Sequence, residues 1–300
     1  ESWYELALKD LNAKAKPPGS LGNLEQWAAR LCALQQTLEP VGKPVGTLIF
    51  AADHGITKSS QVSAYPRSVT VAVFKSIAKG RAASSTLSAS FGLTLLLMDV
   101  GIDADVSDTA SGTENVIVQH RKVSFGTRDF TCCAAMTEEE LSAAVSAGRS
   151  AVQQLHEKGI VGICLGELGI GNTTSAAALL SALTGRPASE VTGSGSGLGT
   201  DGVARKAAVV EAALRRCNAP QCGAKRLLQE VGGLEIAAMV GAVLEASERR
   251  MAVLVDGFIS GAAALVASRL DGSVAGALFC SHRLLECLGQ PLPPIDLKMR

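Results

Sequence analysis

The sequence predicts an α/β fold: a Rossmann-like parallel sheet with helices on both faces, plus a small helical subdomain. Three observations predict it. Short, continuous apolar runs recur along the chain, separated for the most part by Ala-rich stretches of helical length. Strands that are apolar at nearly every position belong to sheets covered on both faces. Each of these runs ends near an acid or a glycine, and aromatic residues make up only 4% of a chain that is 47% hydrophobic. The core must therefore be built from Ala, Val, Leu and Ile, whose small side chains let helices lie close to a sheet.

Taken in order, residues 1–37 read as a helix, a Pro-Gly loop (16–22) and a second helix. In the second, Leu24, Trp27, Ala28, Leu31 and Leu34 share one face at helical spacing. Ser20 or Asn23 is its expected cap, with Glu25 in the first turn. The expected strands lie in TLIFAADHG (47–55), LTLLLMDVG (93–101), NVIVQH (115–120), GIVGICLGELGIG (159–171) and MAVLVDGFISG (251–261). The expected helices include 138–155, 174–183, 202–217 and 234–246. Residues 38–270 are expected to form the nucleotide-binding core, and 1–37 with 271–300 the small helical subdomain. Ligands of such sheets bind beyond the carboxyl ends of the strands. Those ends carry Asp53, His54, Asp99, Glu167, Gly171 and Asp256.

Charge argues against a polyanionic partner. Lys plus Arg equals Asp plus Glu at 28 each, so no net field favours nucleic acid or an anionic membrane. The eight cysteines include no CxxC pair, and the four histidines form no HxxxH or HExxH pattern. No metal and no cofactor is therefore expected, and reduced cysteines fit a cytoplasmic setting. A transmembrane helix is not expected, because no apolar run reaches the length of about 18 residues that spanning needs. The chain opens on Glu1, so a removed organellar leader stays open.

The stretch GELGIGNTTSAA (166–177) carries the chemistry. An apolar strand runs into a glycine-punctuated turn, and Asn172, Thr173 and Thr174 open a helix. Gly169 and Gly171 lack Cβ atoms, which lets backbone amides approach a ligand. A helix N-terminus adds free N–H donors and the positive end of a dipole, a combination that binds phosphate. Thr173 or Asn172 is placed to cap the helix or to donate to the anion. A second cluster, TGSGSGLGTDG (192–202), precedes a helix bearing Lys206. Neither cluster contains the GK[ST] of an ATP-binding loop, so the pair suits a single monophosphate. Glu167, between the sheet and the first turn, is placed to orient ribose hydroxyls or to act as a base.

At these residues the chain resembles the nicotinate-nucleotide–dimethylbenzimidazole phosphoribosyltransferase family. The matching segments are KPPGSLGNLE, AADHGI, VSAYPRSVT, GTRDF with AMTEEE, GELGIGNTTSAA, GGLEIAAMVGA and VLVDGFISGAAAL, in the family's order and across essentially the whole chain.

The resemblance implies a pentosyl-transferring enzyme of cobalamin lower-ligand assembly. It would move the 5-phosphoribosyl group of nicotinate mononucleotide to 5,6-dimethylbenzimidazole, giving α-ribazole 5′-phosphate and nicotinate. Gly169, Gly171, Asn172 and Thr173 would hold phosphate and ribose. Gly193, Gly195 and Gly197 with Lys206 would complete the anion site, with Asp256 at a facing strand end. Ser63, Ala64, Tyr65 and Pro66 would line a flat, apolar acceptor pocket. Glu167 would stand beside ribose and acceptor in an orienting or auxiliary role. Small-molecule partners and a homodimer are implied as well.

Departures from the family pattern concern the acceptor side. Its proposed catalytic base belongs to an LGEG stretch expected just after Arg300. The stretch at His282 is short, and Ala72, Ser194 and Gln61 stand where Gln, Arg and Gly are usual. A homologue that binds nucleotide or azole without turnover stays open on these grounds. A nicotinamide-dinucleotide oxidoreductase is disfavoured, because AADHG follows the first strand in place of a glycine fingerprint.

Overall fold

The computed structural model describes residues 1–281. The shortened stretch from His282 and the final PIDLKMR segment lie outside the described residues.

Two N-terminal helices, α1 (Trp3–Ala13) and α2 (Asn23–Gln35), pack on each other. β1 (Val45–Ala52) follows, then a short helix α3 (Ile56–Ser59) and the helices α4 (Ser68–Ala78) and α5 (Ala83–Ser90). β2 (Thr94–Gly101) and β3 (Val116–His120) lead to α6 (Glu138–Glu157), β4 (Gly162–Leu168), α7 (Asn172–Thr184), α8 (Ala188–Val191) and α9 (Thr200–Arg216). After α10 (Ala224–Val231) and α11 (Leu234–Glu248) come β5 (Ala252–Val255), α12 (Phe258–Leu270) and β6 (Leu278–Cys280).

Among the described residues the strands form one six-stranded sheet in the order β3-β2-β1-β4-β5-β6, every pair parallel. Alternate residues feed two cores. Leu48, Phe50, Leu96 and Met98 face one, where α6, α7, α11 and α12 pack, while Ile49, Ala51, Leu95 and Leu97 face the other with Phe74 and Ile77 of α4. Both faces are thus covered, which is why these strands read as unbroken apolar runs.

Two elements depart from the sequence expectation. The run 251–261 is strand only to Val255, and Phe258–Leu270 is helix α12. A continuous apolar run carries no period by which strand and buried helix differ. The segment after Asp271, grouped by sequence with the helical subdomain, includes β6, which joins the sheet edge beside β5. On α2 the buried positions are Glu25, Ala29 and Cys32, while Leu24 is exposed. Its N-cap is Gly22, with no side-chain capping bond. Trp27 meets Phe279 edge-on at 6.0 Å, which seats the N-terminal pair against β6.

Candidate active site

The sheet order reverses at the β1–β4 pair, since the chain runs outward from β1 through β2 to β3 and then returns to β4. Such a switch point opens a crevice beyond the strand ends. His54 follows β1 there, and Glu167 is the last residue but one of β4, in register with Phe50. A cavity of about 220 Å³ at this position is lined by Glu167, Gly169, Gly171, Asn172, Thr173 and two serines, Ser63 and Ser196.

The glycine turn behaves differently from the sequence expectation. Its glycines make room for protein rather than ligand. A Cβ on Gly169 would stand 2.1 Å from the Ala52 carbonyl oxygen, and one on Gly171 would stand 2.5 Å from Thr57 Cγ2 and 3.2 Å from His54 Cβ. Gly171 also has φ +98°, the left-handed region that glycine tolerates. It is the N-cap of α7, and neither Asn172 nor Thr173 caps that helix. Instead the Asn172 amide donates to Glu167, and the Thr173 hydroxyl accepts from Lys206. The Ile170 amide is already bound to Thr70 Oγ1 at 3.2 Å. Of the first amides of α7, those of Asn172 and Thr174 already donate to the carbonyls of Gly169 and Gly171, which leaves the Thr173 amide for an anion.

Lys206 is 1% exposed, and its ammonium donates to Thr173 Oγ1 at 2.6 Å. No carboxylate among the described residues pairs with it. Burial pushes its pKa down to about 8. Among the described residues the cation is held by a hydroxyl at a helix start, an arrangement whose chemistry suits an anion. Of the three glycines that the resemblance assigns to the anion site, Gly195 reaches this point: its Cβ would lie 3.2 Å from Lys206 Nζ. Gly193 and Gly197 are exposed and face open space. Ser196, which the sequence reading did not single out, lines the cavity and lies 3.1 Å from Ser63.

Glu167 is half-buried at the cavity wall. Burial and then the charge of Glu235 raise its pKa to about 7, against the opposing pull of the Asn172 bond and of His54. Beneath it runs a buried network. His54 Nε2 lies 2.7 Å from Glu235 Oε1, and His54 Nδ1 lies 3.0 Å from the Ser175 hydroxyl. Asp53 accepts from Thr70 Oγ1 at 2.7 Å and from the Asp103 amide at 2.9 Å. Sequence marked His54 and Asp53 at a strand end but not Glu235. The available signal for it is an acid in the first turn of a helix that is otherwise apolar as far as Leu244.

The segment expected to line the acceptor pocket is placed beside the site but is not apolar. Ser63, Tyr65 and Pro66 border an adjoining cavity of about 220 Å³ whose other walls include Thr57, Lys58, Gln61 and Arg67. Lys58 and Arg67 both pair with Asp103. Ala64, Tyr65 and Pro66 are exposed, as are Gln61, Ala72 and Ser194, the three departures from the family pattern. Asp256 sits exposed at the end of β5, where its Oδ1 accepts from Ser281 at 2.6 Å. It does not line the Glu167 cavity. A larger cavity, about 610 Å³, lies between the N-terminal helices and Ser247, Arg250 and Ser273, at the opposite ends of the strands. Among the described residues no cluster of His, Cys, Asp or Glu is placed to hold a metal ion. Every described cysteine is a free thiol.

A doubly wound sheet with a buried cation and a basic carboxyl at its switch point defines a nucleotide-handling α/β enzyme. Comparison with known proteins makes the class specific. A family model described as phosphoribosyltransferase matches residues 1–290. A nicotinate-nucleotide–dimethylbenzimidazole phosphoribosyltransferase of Bradyrhizobium diazoefficiens is 41% identical over 95% of this chain and 81% of that protein. The Geobacter sulfurreducens protein of the same name is 40% identical over 97% and 82%. Among solved structures, CobT from Thermus thermophilus superposes with a TM-score of 0.88 at 35% identity, covering 97% of this chain and 87% of that one. The chain belongs to the nicotinate-nucleotide–dimethylbenzimidazole phosphoribosyltransferase family.

Proposed function

We propose that this chain transfers the 5-phosphoribosyl group of nicotinate mononucleotide to 5,6-dimethylbenzimidazole, giving α-ribazole 5′-phosphate and nicotinate. The observation that carries this reading is Lys206, a buried ammonium without a counter-ion among the described residues, held at the start of α7 by Thr173, which lines the Glu167 cavity. The nucleotide phosphate docks against Lys206 and the hydroxyl and amide of Thr173 at the start of α7. Its ribose then lies toward Glu167. The benzimidazole enters from the adjoining cavity that shares Ser63.

The bond changes are few. The free azole nitrogen attacks the anomeric carbon on the face opposite the pyridine ring. As the new C–N bond forms, the old one breaks, and its electron pair neutralises the pyridinium of the departing nicotinate. No acid has to assist that departure. Attack leaves the azole cationic, and its other ring nitrogen gives up a proton. Glu167, with a pKa of about 7, is placed to assist that transfer in the auxiliary role, beside the base that the family pattern expects after Arg300. Holding both rings against one carbon supplies much of the remaining rate.

The reading includes small molecules as sole partners, a cytoplasmic location and a homodimer. Exposed Leu21, Leu24, Tyr65 and Phe125 support the dimer, being large apolar side chains that a second copy would cover. Among the described residues no helix is long and apolar enough to cross a membrane.

The test is direct. Incubated with both substrates, the protein releases nicotinate, followed by chromatography, and Glu167→Gln lowers kcat by roughly 10²–10⁴-fold, the range for losing a positioned acid–base group. Tight binding of the mononucleotide by calorimetry without any nicotinate release would instead mark a homologue that binds without turnover.

A further inference from the structure

One buried hydroxyl links the two cavities of the site. Thr70, in the first turn of α4, is wholly buried. Its Oγ1 accepts from the Ile170 amide of the glycine turn at 3.2 Å and donates to Asp53 Oδ1 at 2.7 Å. The direction of each bond is fixed. An amide nitrogen can only donate, so the hydroxyl accepts from Ile170 and its single proton goes to the carboxylate.

The chain of bonds continues past Asp53. That side chain, buried just beyond β1, accepts the Asp103 amide at 2.9 Å on its other oxygen. The Asp103 carboxylate in turn accepts from Lys58 at 3.1 Å and from Arg67. Ile170 lines the Glu167 cavity, while Lys58 and Arg67 line the adjoining one. Thr70 is the link that reaches the glycine turn. It also stands three positions after Arg67 and seven after Ser63, so fixing its hydroxyl fixes where the 63–67 stretch lies relative to that turn. Phe74 and Ile77 already pack α4 against the sheet. Apolar packing is non-directional, and hydrogen bonds of set direction supply the registration it lacks.

We propose that Thr70, anchored on Asp53, is a positioning residue that holds the acceptor cavity in register with the nucleotide turn, so that the azole nitrogen meets the anomeric carbon. The inference rests on the phosphoribosyl-transfer reading. Thr70 touches neither substrate. It acts through Ile170 on one side and through the start of α4 on the other. The phosphate grip at Lys206 and Thr173 lies outside this chain of bonds, so Thr70 governs how the two substrates meet and not how the nucleotide is held.

Thr70→Val keeps the branched shape and removes both bonds, whereas Thr70→Ser keeps the hydroxyl. In Thr70→Val, kcat/KM for 5,6-dimethylbenzimidazole should fall on the order of 10²-fold, the cost of misplacing reactants by about an ångström. The dissociation constant of nicotinate mononucleotide alone, by calorimetry, should stay close to that of the unaltered chain. Thr70→Ser should recover most of the loss. Asp53→Asn puts an amide donor where the Thr70 or the Asp103 proton must go, so it should cost a similar factor. The double variant should then lose little more than either single one, as members of one network do. A merely structural role would lower the melting temperature and the fraction of sites that bind mononucleotide, with kcat/KM per binding site unchanged. That result overturns the proposal, as do additive losses or a Thr70→Ser no better than Thr70→Val. If Thr70→Val does not fold, Asp53→Asn decides by the same comparison. Should the unaltered chain bind both substrates without releasing nicotinate, the transfer reading fails. The benzimidazole dissociation constant with mononucleotide bound then decides for Thr70: weakened in Thr70→Val and restored in Thr70→Ser supports it, and an unmoved constant sinks it. Binding of neither substrate sinks both.

Discussion

Lys206 and Glu167 are titratable groups displaced in opposite senses, and both displacements have consequences in solution. The lysine titrates at about 8 when folded, below its ordinary 10.5. Between those values the unfolded chain holds a proton that the folded chain lacks, so this group makes stability rise with pH across that window. A phosphate dianion beside the ammonium reverses the displacement. Mononucleotide binding at about pH 8 should therefore take up a proton, seen by calorimetry in buffers of different ionisation enthalpy, and should weaken as pH rises further. Lys206→Ala should abolish the uptake and cost roughly 1.5–3 kcal/mol of binding, the range for a charge-assisted hydrogen bond. An unaltered dissociation constant would refute the role.

Glu167 gives the opposite sign. Its folded pKa of about 7 lies above the ordinary 4.5, so the folded chain binds the extra proton and stability falls as pH rises between these values. Glu167→Gln should thus melt higher than the parent at pH 8 but not at pH 4, while losing turnover. An equal or lower melting temperature at pH 8 would show that the carboxylate is comfortable in its setting.

At the scale of elements, close approach decides more than hydrophobicity. The helices α6 and α11 cross so tightly that a Cβ on Gly148 would lie 1.8 Å from the Ala238 carbonyl oxygen, and one on Gly241 would lie 2.0 Å from that of Val145. Gly148→Ala should destabilise the protein by about 1–3 kcal/mol, as overpacking does, with KM unchanged in the folded fraction. Urea titration measures the first and steady-state kinetics the second. Gly171→Ala differs in kind. Its positive φ and the contact with Thr57 strain the turn itself, so KM for the mononucleotide should rise along with the stability loss.

The elements were unequally legible. β1, β2 and β4 announce themselves because strands buried on both faces are apolar throughout, and the turn after β4 because glycines interrupt such a run. The β5–α12 run concealed its change of element, since both halves are buried and apolar. β6 is three residues long, too short for any pattern.

For the whole molecule, balanced charge leaves recognition to local geometry. The strand order is the one found in dinucleotide-binding sheets, yet the glycine turn follows β4, not β1. A mononucleotide should accordingly stabilise the fold by about 2.7 kcal/mol when supplied at roughly 100 times its dissociation constant, while a nicotinamide dinucleotide at that concentration should not. Differential scanning calorimetry separates the two, and an equal shift by the dinucleotide would contradict a single-phosphate site.

By itself the sequence determined the fold class, the strand-to-glycine-turn-to-helix unit at 166–177 and the family, because each is written in residues adjacent along the chain. Tertiary structure alone decided which groups meet. His54 reaches Glu235 across 181 positions, Ser63 reaches Ser196 across 133, and Lys206 reaches Thr173 across 33. Such pairings follow from strand order and helix packing, and no local pattern encodes them. They are also what set the charges at Glu167 and Lys206, since a pKa depends on burial and on neighbours that only the folded chain brings near.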